Sequence, residues 1–135
     1  MQAEAAQRGF ITGDPAALYK SAVEESFRVD GASGADAYMS QNDARTNYAV
    51  ATNKINLILL QEWNALNGYD ALETWNNYRR AVIPADLPIS IFPGVTATHI
   101  PYRLLYPTSE YSYNTANVDA EGTISNMTSK IFWMP

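Results

Sequence analysis

The amino-acid sequence predicts a mainly α-helical fold, in which helical hairpins are followed by a Pro-rich, irregular C-terminal region. Apolar side chains recur at helical spacing in residues 14–30, 48–66 and 71–81, and capping residues, glycines or a proline stand at the ends of these segments. After Pro84, prolines at positions 88, 93, 101 and 107 exclude long regular elements. We divide the chain into residues 1–31, 48–81 and 82–135.

The composition argues against several classes of function. The 135 residues include 14 acidic and 9 basic side chains, and the net charge of −5 has the wrong sign for binding nucleic-acid phosphates or anionic membranes. The chain contains no cysteine, so disulfides, thiolate metal sites and cysteine nucleophiles are ruled out. His99 is the only histidine and cannot build a multi-histidine site. We therefore expect no cofactor, no metal site and no nucleic-acid partner.

Residues 1–31 predict the end of one helix and the whole of a second. The segment MQAEAAQRGF is rich in alanine and stops at Gly9, as the last turns of a helix do, so we expect a fragment of a larger α-helical protein. The second helix has Asp14 as its cap, Pro15 at its first position and Gly31 after its end. Its apolar face contains Tyr19, Val23 and Phe27. Residues 31–47 are expected to be a connection with one helical turn.

Residues 48–81 predict a helical hairpin with its turn at Gly68. The first helix is expected to run from Tyr48 to Leu66, and Asp70 is placed to cap the second. The inner face of the second helix is predicted to contain Leu72, Trp75 and Tyr78. Arg79 and Arg80 fall in its last turn, where cations interact favourably with the exposed carbonyls. Trp63 and Trp75 fit either a shared core or a ligand face; we favour packing, because aromatic residues at helical spacing usually pack.

The C-terminal region offers the main candidates for ligand contact. A short helix is predicted to begin at Thr108 or Ser109, and the apolar cluster 131–134 is expected to pack against the body of the protein. Aromatic rings in loops stack on sugar rings, but they also hold loops onto helices. Both interpretations apply to four tyrosines in this region: Tyr102, Tyr106, Tyr111 and Tyr113. The sequence contains no nucleophile elbow and no carboxylate pair suited to glycoside hydrolysis, and we identify no catalytic residue.

Four stretches of the sequence resemble known families. AEAAQRGFITGDPAALYKSAVEESF resembles one tetratricopeptide unit, because a Gly-containing turn joins two helices with Tyr and Ala at packing positions. ILLQEWNALNGYDALETWNNYRRAVIP resembles the C-terminal signature of the SusD/RagB-like nutrient-binding proteins, and PYRLLYPTSEYSYNTANV and the terminal IFWMP are similar to the blocks that follow it. The chain closely resembles the branch of the family that is called SusD-like.

The resemblance implies a cell-surface lipoprotein of the outer membrane in Bacteroidota-type bacteria. Such a protein binds oligosaccharide or another nutrient without catalysis and delivers it to a SusC-like TonB-dependent transporter. The lipid anchor would lie outside this chain. The motif residues carried over with a structural role are Trp63, Trp75, Tyr78, Arg79, Arg80 and Glu110. The alternative function is a tetratricopeptide-type scaffold that binds protein partners, and a small enzyme is the third possibility.

One further expectation concerns charge pairing. Arg79, Arg80 and Arg103 have few acidic neighbours in the sequence, and an unpaired buried guanidinium is costly. We therefore expect Glu110 to contact at least one of these three arginines.

Overall fold

The computed structural model describes residues 1–92 and 99–135, which form two compact units, Met1–Pro84 and Ala85–Pro135. Seven α-helices and no strand are present in these described ranges, which confirms the mainly α-helical fold. Pro93, one of the prolines that were expected to break regular structure, lies outside the described residues.

The first unit contains five helices. They are α1 (Gln2–Gln7), α2 (Pro15–Val29), α3 (Ala35–Met39), α4 (Lys54–Leu66) and α5 (Ala71–Ala81). α1 packs on α2 as the two helices of a hairpin, α4 packs on both, and α5 packs back on α4. The second hairpin therefore lies directly on the first, as stacked helical repeats do.

The ends of α1 and α2 follow from their glycines. Past the end of α1, Gly9 has a φ of 76° and donates to the Ala6 carbonyl, and the next amide reaches Ala5. Gly31 ends α2 in the same way with a φ of 66°. These two backbone hydrogen bonds satisfy the last carbonyls of a helix. They require one residue in the left-handed backbone conformation, which glycine adopts without strain. Both helix ends were predicted correctly.

The core of the first unit combines buried residues from α1, α2 and α4. α2 contributes Tyr19 and Val23, α4 contributes Leu57 and Ile58, and Ala3 of α1 completes the contact. The Tyr19 hydroxyl donates to the Thr46 carbonyl at 2.6 Å, and burial raises the pKa of this phenol. The connection before α4 is thereby tied to α2 by a buried hydrogen bond.

Two details of the predicted hairpin 48–81 are corrected by the structure. α4 begins at Lys54 rather than Tyr48, because the Asn53 side chain caps the helix by accepting from the Asn56 amide at 3.0 Å. Leu72 is 61% exposed and does not belong to the inner face. Trp63 and Trp75 are both partly buried, as expected of aromatic residues that pack. Tyr78 is buried as predicted, and the other buried residues of α5 are Thr74, Asn77 and Arg79, which were not predicted for its inner face.

The second unit contains two short helices, α6 (Thr108–Tyr113) and α7 (Thr115–Ala120). α6 begins at the predicted residue, whereas α7 was not predicted. α7 packs on α6, and Val118 is its buried residue. The expectation that residues 131–134 pack as an apolar cluster is wrong for Phe132, which is 99% exposed.

Candidate functional site

A buried carboxylate of α1 is paired with an arginine of α5. Arg80 binds Glu4 with two hydrogen bonds, from Nη1 to Oε1 at 2.6 Å and from Nη2 to Oε2 at 3.0 Å. Arg8 adds a third bond to the same carboxylate at 2.9 Å, and Arg80 also donates to Asn77 Oδ1 at 2.6 Å. Planar guanidinium and carboxylate groups match in this two-bond geometry, which fixes orientation as well as distance. The network therefore clamps α1 to α5.

The electrostatics of the network agree with its geometry. Burial alone raises the pKa of Glu4, but the bonds from Arg80 and Arg8 outweigh it, and the net pKa of Glu4 is lowered. The bond from Glu4 raises the pKa of Arg80. Both groups are therefore held in their charged forms.

Arg79, which precedes Arg80 in the sequence, has a different environment. Arg79 is buried, and its guanidinium lies 3.7 Å from the centre of the Trp75 ring. It also donates to Asn76 Oδ1, and burial lowers its pKa. A guanidinium stacked on indole is a favourable cation–π pair. The adjacent Arg79 and Arg80 thus make two different contacts, one with an aromatic ring and one with a carboxylate.

Two of the four candidate tyrosines have neighbours on their rings. Tyr102 is stacked on His99 with ring centres 4.0 Å apart, and Lys130 Nζ lies 5.6 Å from the centre of the Tyr102 ring. Tyr106 has the Arg103 guanidinium 5.2 Å from its ring centre. Both tyrosines are half-buried. Their ring faces are engaged by protein groups, which favours the structural interpretation.

The other two candidate tyrosines lie on α6 and are exposed. Tyr113 is 92% exposed and Tyr111 is 45% exposed. Positions two apart on a helix point to different sides, so the two rings do not share one face of α6. The structure therefore offers separate aromatic surfaces here rather than one four-tyrosine platform.

Arg80 has an acidic partner other than the expected Glu110. Arg80 meets Glu4, a residue that the sequence analysis did not single out. Glu110 accepts a hydrogen bond from Asn114 at 2.9 Å. A contact between Glu110 and one of the three arginines stays a prediction. The signal that could have found Glu4 is its position among the alanines of α1, where Ala3 and Ala6 are buried beside it.

A broad groove on the first unit has an apolar floor. Its volume is about 700 Å³, and its lining includes Leu18, Val23, Phe27, Ile58, Ala65 and Leu66. Acidic side chains at Asp30, Glu62 and Glu73 also line it. Apolar surface with a few polar groups is typical of binding surfaces on helical repeats.

Residues 1–92 and 99–135 contain neither a cluster of metal ligands nor a helix suited to span a membrane. No group of three or more His, Asp and Glu side chains is arranged there to hold a metal ion. None of the helices there combines the length and the apolar character needed to cross a membrane.

These features define a helical-repeat scaffold followed by a loop-rich unit with exposed aromatic rings. The chain belongs to a SusD-like family that is described as starch-binding and associating with the outer membrane, and the family model matches residues 1–107. This confirms the resemblance seen in the sequence. The family is a binding family without catalytic activity and is associated with the outer membrane. No curated protein and no solved structure gave a significant match to the chain.

Proposed function

We propose that the protein binds a neutral oligosaccharide, such as a starch fragment, or a similar nutrient at the cell surface and does not transform it. The observation that carries this proposal is the match of residues 1–107 to a family described as starch-binding and associating with the outer membrane. The two-hairpin scaffold clamped by Glu4 and Arg80 supports it, because a rigid scaffold holds ligand-binding loops in place.

The proposal includes a partner and an anchor. The bound nutrient is delivered to a SusC-like TonB-dependent transporter, and a lipid anchor outside this chain holds the protein on the outer membrane. Support comes from the description of the family as associating with the outer membrane. Co-purification of the full-length protein with the transporter from detergent-solubilised outer membranes is the expected result.

Within this chain, the helices contribute scaffold more than binding pocket. The residues best placed to contact a ligand are Tyr111 and Tyr113, because their rings are exposed on α6. A sugar ring stacks on such a face without needing charge, so binding is expected to depend little on salt concentration.

Calorimetry of the full-length protein with a panel of oligosaccharides, beside product analysis by chromatography, tests the function. We expect binding of at least one glycan with no product. Tyr113→Ala should weaken binding about fivefold, whereas Tyr113→Phe, which keeps the ring, should not. Turnover of any glycan, or binding of none, would overturn the proposal.

A protein-interaction scaffold is the alternative function, and the apolar groove of the first unit is the observation that supports it. It would be preferred if the full-length protein bound no glycan but still bound a partner protein, and if that binding were lost on placing a charge in the groove with Ala65→Asp.

A further inference from the structure

Lys54, the first residue of α4, directs its ammonium group back toward the connection that precedes the helix. Nζ donates to the backbone carbonyls of Tyr48, Ala49 and Ala51, and it lies 3.3 Å from the Ala49 oxygen and 2.7 Å from the Ala51 oxygen. A lysine ammonium has three N–H donors, so the three carbonyls match its full hydrogen-bonding capacity. We call these three carbonyl groups the carbonyl cage.

The place of Lys54 in the sequence is unfavourable for a cation that lacks these contacts. The first turn of a helix carries partial positive charge from its exposed amides, which disfavours lysine there. The first turn of α4 contains no acidic residue, and the half-buried Lys54 forms no ion pair with a carboxylate of residues 1–92 and 99–135. Its charge is compensated instead by the carbonyl cage and by the Tyr48 ring, whose centre lies 5.0 Å from Nζ.

The carbonyl cage depends on Lys54 for its hydrogen bonds. Within the described part of the chain, Lys54 is the sole donor to these three carbonyls. Ala51 is only 4% exposed, and a buried carbonyl without a partner is costly. The Ala51 amide donates to the Asn47 carbonyl at 3.0 Å and closes a turn over residues 47–51. This turn brings the three oxygens together, and their partial negative charge then requires a cation.

The connection that Lys54 holds is also bonded to both helices of the first hairpin. The Tyr48 hydroxyl donates to Gln7 Oε1 at the end of α1. The Tyr19 hydroxyl of α2 donates to the Thr46 carbonyl at 2.6 Å. The carbonyl cage therefore fixes a segment whose contacts join the first hairpin to the start of α4.

Carbonyl oxygens grouped around one point bind hard cations by replacing their hydration shell, and an ammonium group makes equivalent contacts through its N–H donors. We propose that the carbonyl cage is a cation site that Lys54 fills with its own ammonium group, and that a free alkylammonium ion enters the cage when this side chain is removed. A cation attached to the chain makes the connection independent of the ions in solution. The inference goes beyond the proposed glycan binding and does not depend on it.

The test removes the attached cation and offers a free one. Lys54→Ala empties the carbonyl cage, whereas Lys54→Met removes the charge but leaves a side chain of similar length in it. The matched control is Lys20→Ala, which removes a lysine that is 55% exposed and pairs with Glu24 and Asp36 at the surface. Hydrogen–deuterium exchange of residues 46–53 in the full-length protein, followed by mass spectrometry, measures local opening of the connection. Sodium chloride is replaced stepwise, at constant ionic strength, by methylammonium chloride or by tetramethylammonium chloride, which has no N–H donor.

We expect exchange of residues 46–53 to be about tenfold faster in Lys54→Ala than in the wild type, because charge-assisted hydrogen bonds are lost. Methylammonium should slow this exchange again in a saturable manner, whereas tetramethylammonium should not. Lys54→Met should also exchange faster than the wild type but should not respond to methylammonium, because its side chain occupies the cage. The wild type and Lys20→Ala should respond to neither salt.

An exchange rate in Lys54→Ala equal to that of the wild type would overturn the role of Lys54 in holding the connection. Equal effects of the two ammonium salts, no effect of either, or equal rescue of Lys54→Met would overturn the cation site. If Lys54→Ala is unfolded in sodium chloride, its circular dichroism in methylammonium chloride decides: recovery of the helical signal supports the site, and continued unfolding overturns it. Each of these outcomes leaves the proposed glycan binding to its own test by calorimetry.

Discussion

Arg80 and Glu4 are 76 residues apart in the chain and form a two-bond ion pair with distances of 2.6 and 3.0 Å. Glu4 lies on α1 and Arg80 on the last turn of α5, so the pair joins the two ends of the first unit. The Glu4 side chain is 8% exposed and that of Arg80 is 40% exposed. The Glu4 carboxylate is therefore shielded from water. Loss of Arg80, which leaves this buried carboxylate with one cation fewer, should reduce stability more than loss of a partner at the surface.

Loss of this pair should destabilise the first unit. Arg80→Ala leaves Glu4 buried with Arg8 as its remaining cation, and we expect the free energy of unfolding to fall by about 1–3 kcal/mol. The matched control is Arg28→Ala, which removes an ion pair with Glu25 whose side chains are 71% and 58% exposed. That change should cost no more than about 0.5 kcal/mol. Urea unfolding followed by circular dichroism measures both, and equal effects would contradict the buried clamp.

The same pair predicts how stability depends on pH. Because the pKa of Glu4 is lowered in the folded state, its ionisation contributes stability above the unfolded pKa, and this contribution is lost as the pH falls through the lower folded pKa. Glu4→Gln should therefore be less stable than the wild type at pH 7, and the gap should narrow as the pH falls below about 4.3. Urea unfolding of both proteins from pH 7 to pH 3 measures this. A gap that stays constant would contradict the shift.

Stacking of Arg79 on Trp75 predicts that arginine and lysine are not equivalent at this position. Lysine keeps the charge but loses the planar contact with the indole ring, so Arg79→Lys should reduce the free energy of unfolding by about 1 kcal/mol. Trp75→Ala, at a half-buried position, should cost about 1–3 kcal/mol, less than a fully buried tryptophan. Chemical denaturation tests both variants. If Arg79→Lys left the free energy of unfolding unchanged, the positive charge alone would account for the contribution of Arg79.

The cap of α5 provides a test of local structure. The Asp70 side chain accepts from the Glu73 amide at 3.0 Å, so Asp70→Ala should destabilise the protein by about 1 kcal/mol. Asp70→Asn keeps a capping oxygen and is the control; it should stay within about 0.5 kcal/mol of the wild type. Thermal unfolding of both variants measures the effect, and equal losses would assign it to charge rather than to the capping bond.

The end of α5 contains a strained residue. Val82 has a φ of 55° and is 45% exposed, and a β-branched side chain is disfavoured in this left-handed region. Asparagine tolerates the conformation better, so Val82→Asn should raise the free energy of unfolding by about 0.5–1 kcal/mol. Val82→Thr keeps the branching and should give no gain. Both are compared by urea unfolding, and destabilisation by asparagine would show that the valine side chain makes a contact worth more than the strain.

The sequence by itself determined the elements whose causes are local. Asp14, Pro15 and Gly31 mark the ends of α2, and Asp70 with Gly68 marks the turn between α4 and α5, because caps and left-handed positions depend on residues within one turn. The motif around Trp63, Trp75 and the Arg79–Arg80 pair was sufficient to find the family, since it depends on residue types at fixed spacing.

The start of α4 was predicted too early because apolar spacing continues to Ala51, which is buried from a non-helical segment. Buried apolar residues can show the same spacing in a helix and in a packed connection. Here the Asn53 cap marks where the connection ends and α4 begins. Leu72 fits the periodic pattern but is exposed, whereas Asn77 is buried, because α5 turns the side that contains Asn77 and Arg80 toward Glu4 of α1.

Only the tertiary structure decided which charges pair and which aromatic rings are available. Glu4 lies far from Arg80 in the chain, and no local pattern encodes a contact that forms when α1 and α5 are brought together by the helices between them. The candidate tyrosines look alike in the sequence, yet Tyr102 stacks on His99 and Tyr113 is exposed, because the path of the loop decides what lies next to each ring. Secondary structure follows from neighbours in sequence, whereas ion pairs and binding surfaces follow from neighbours in space.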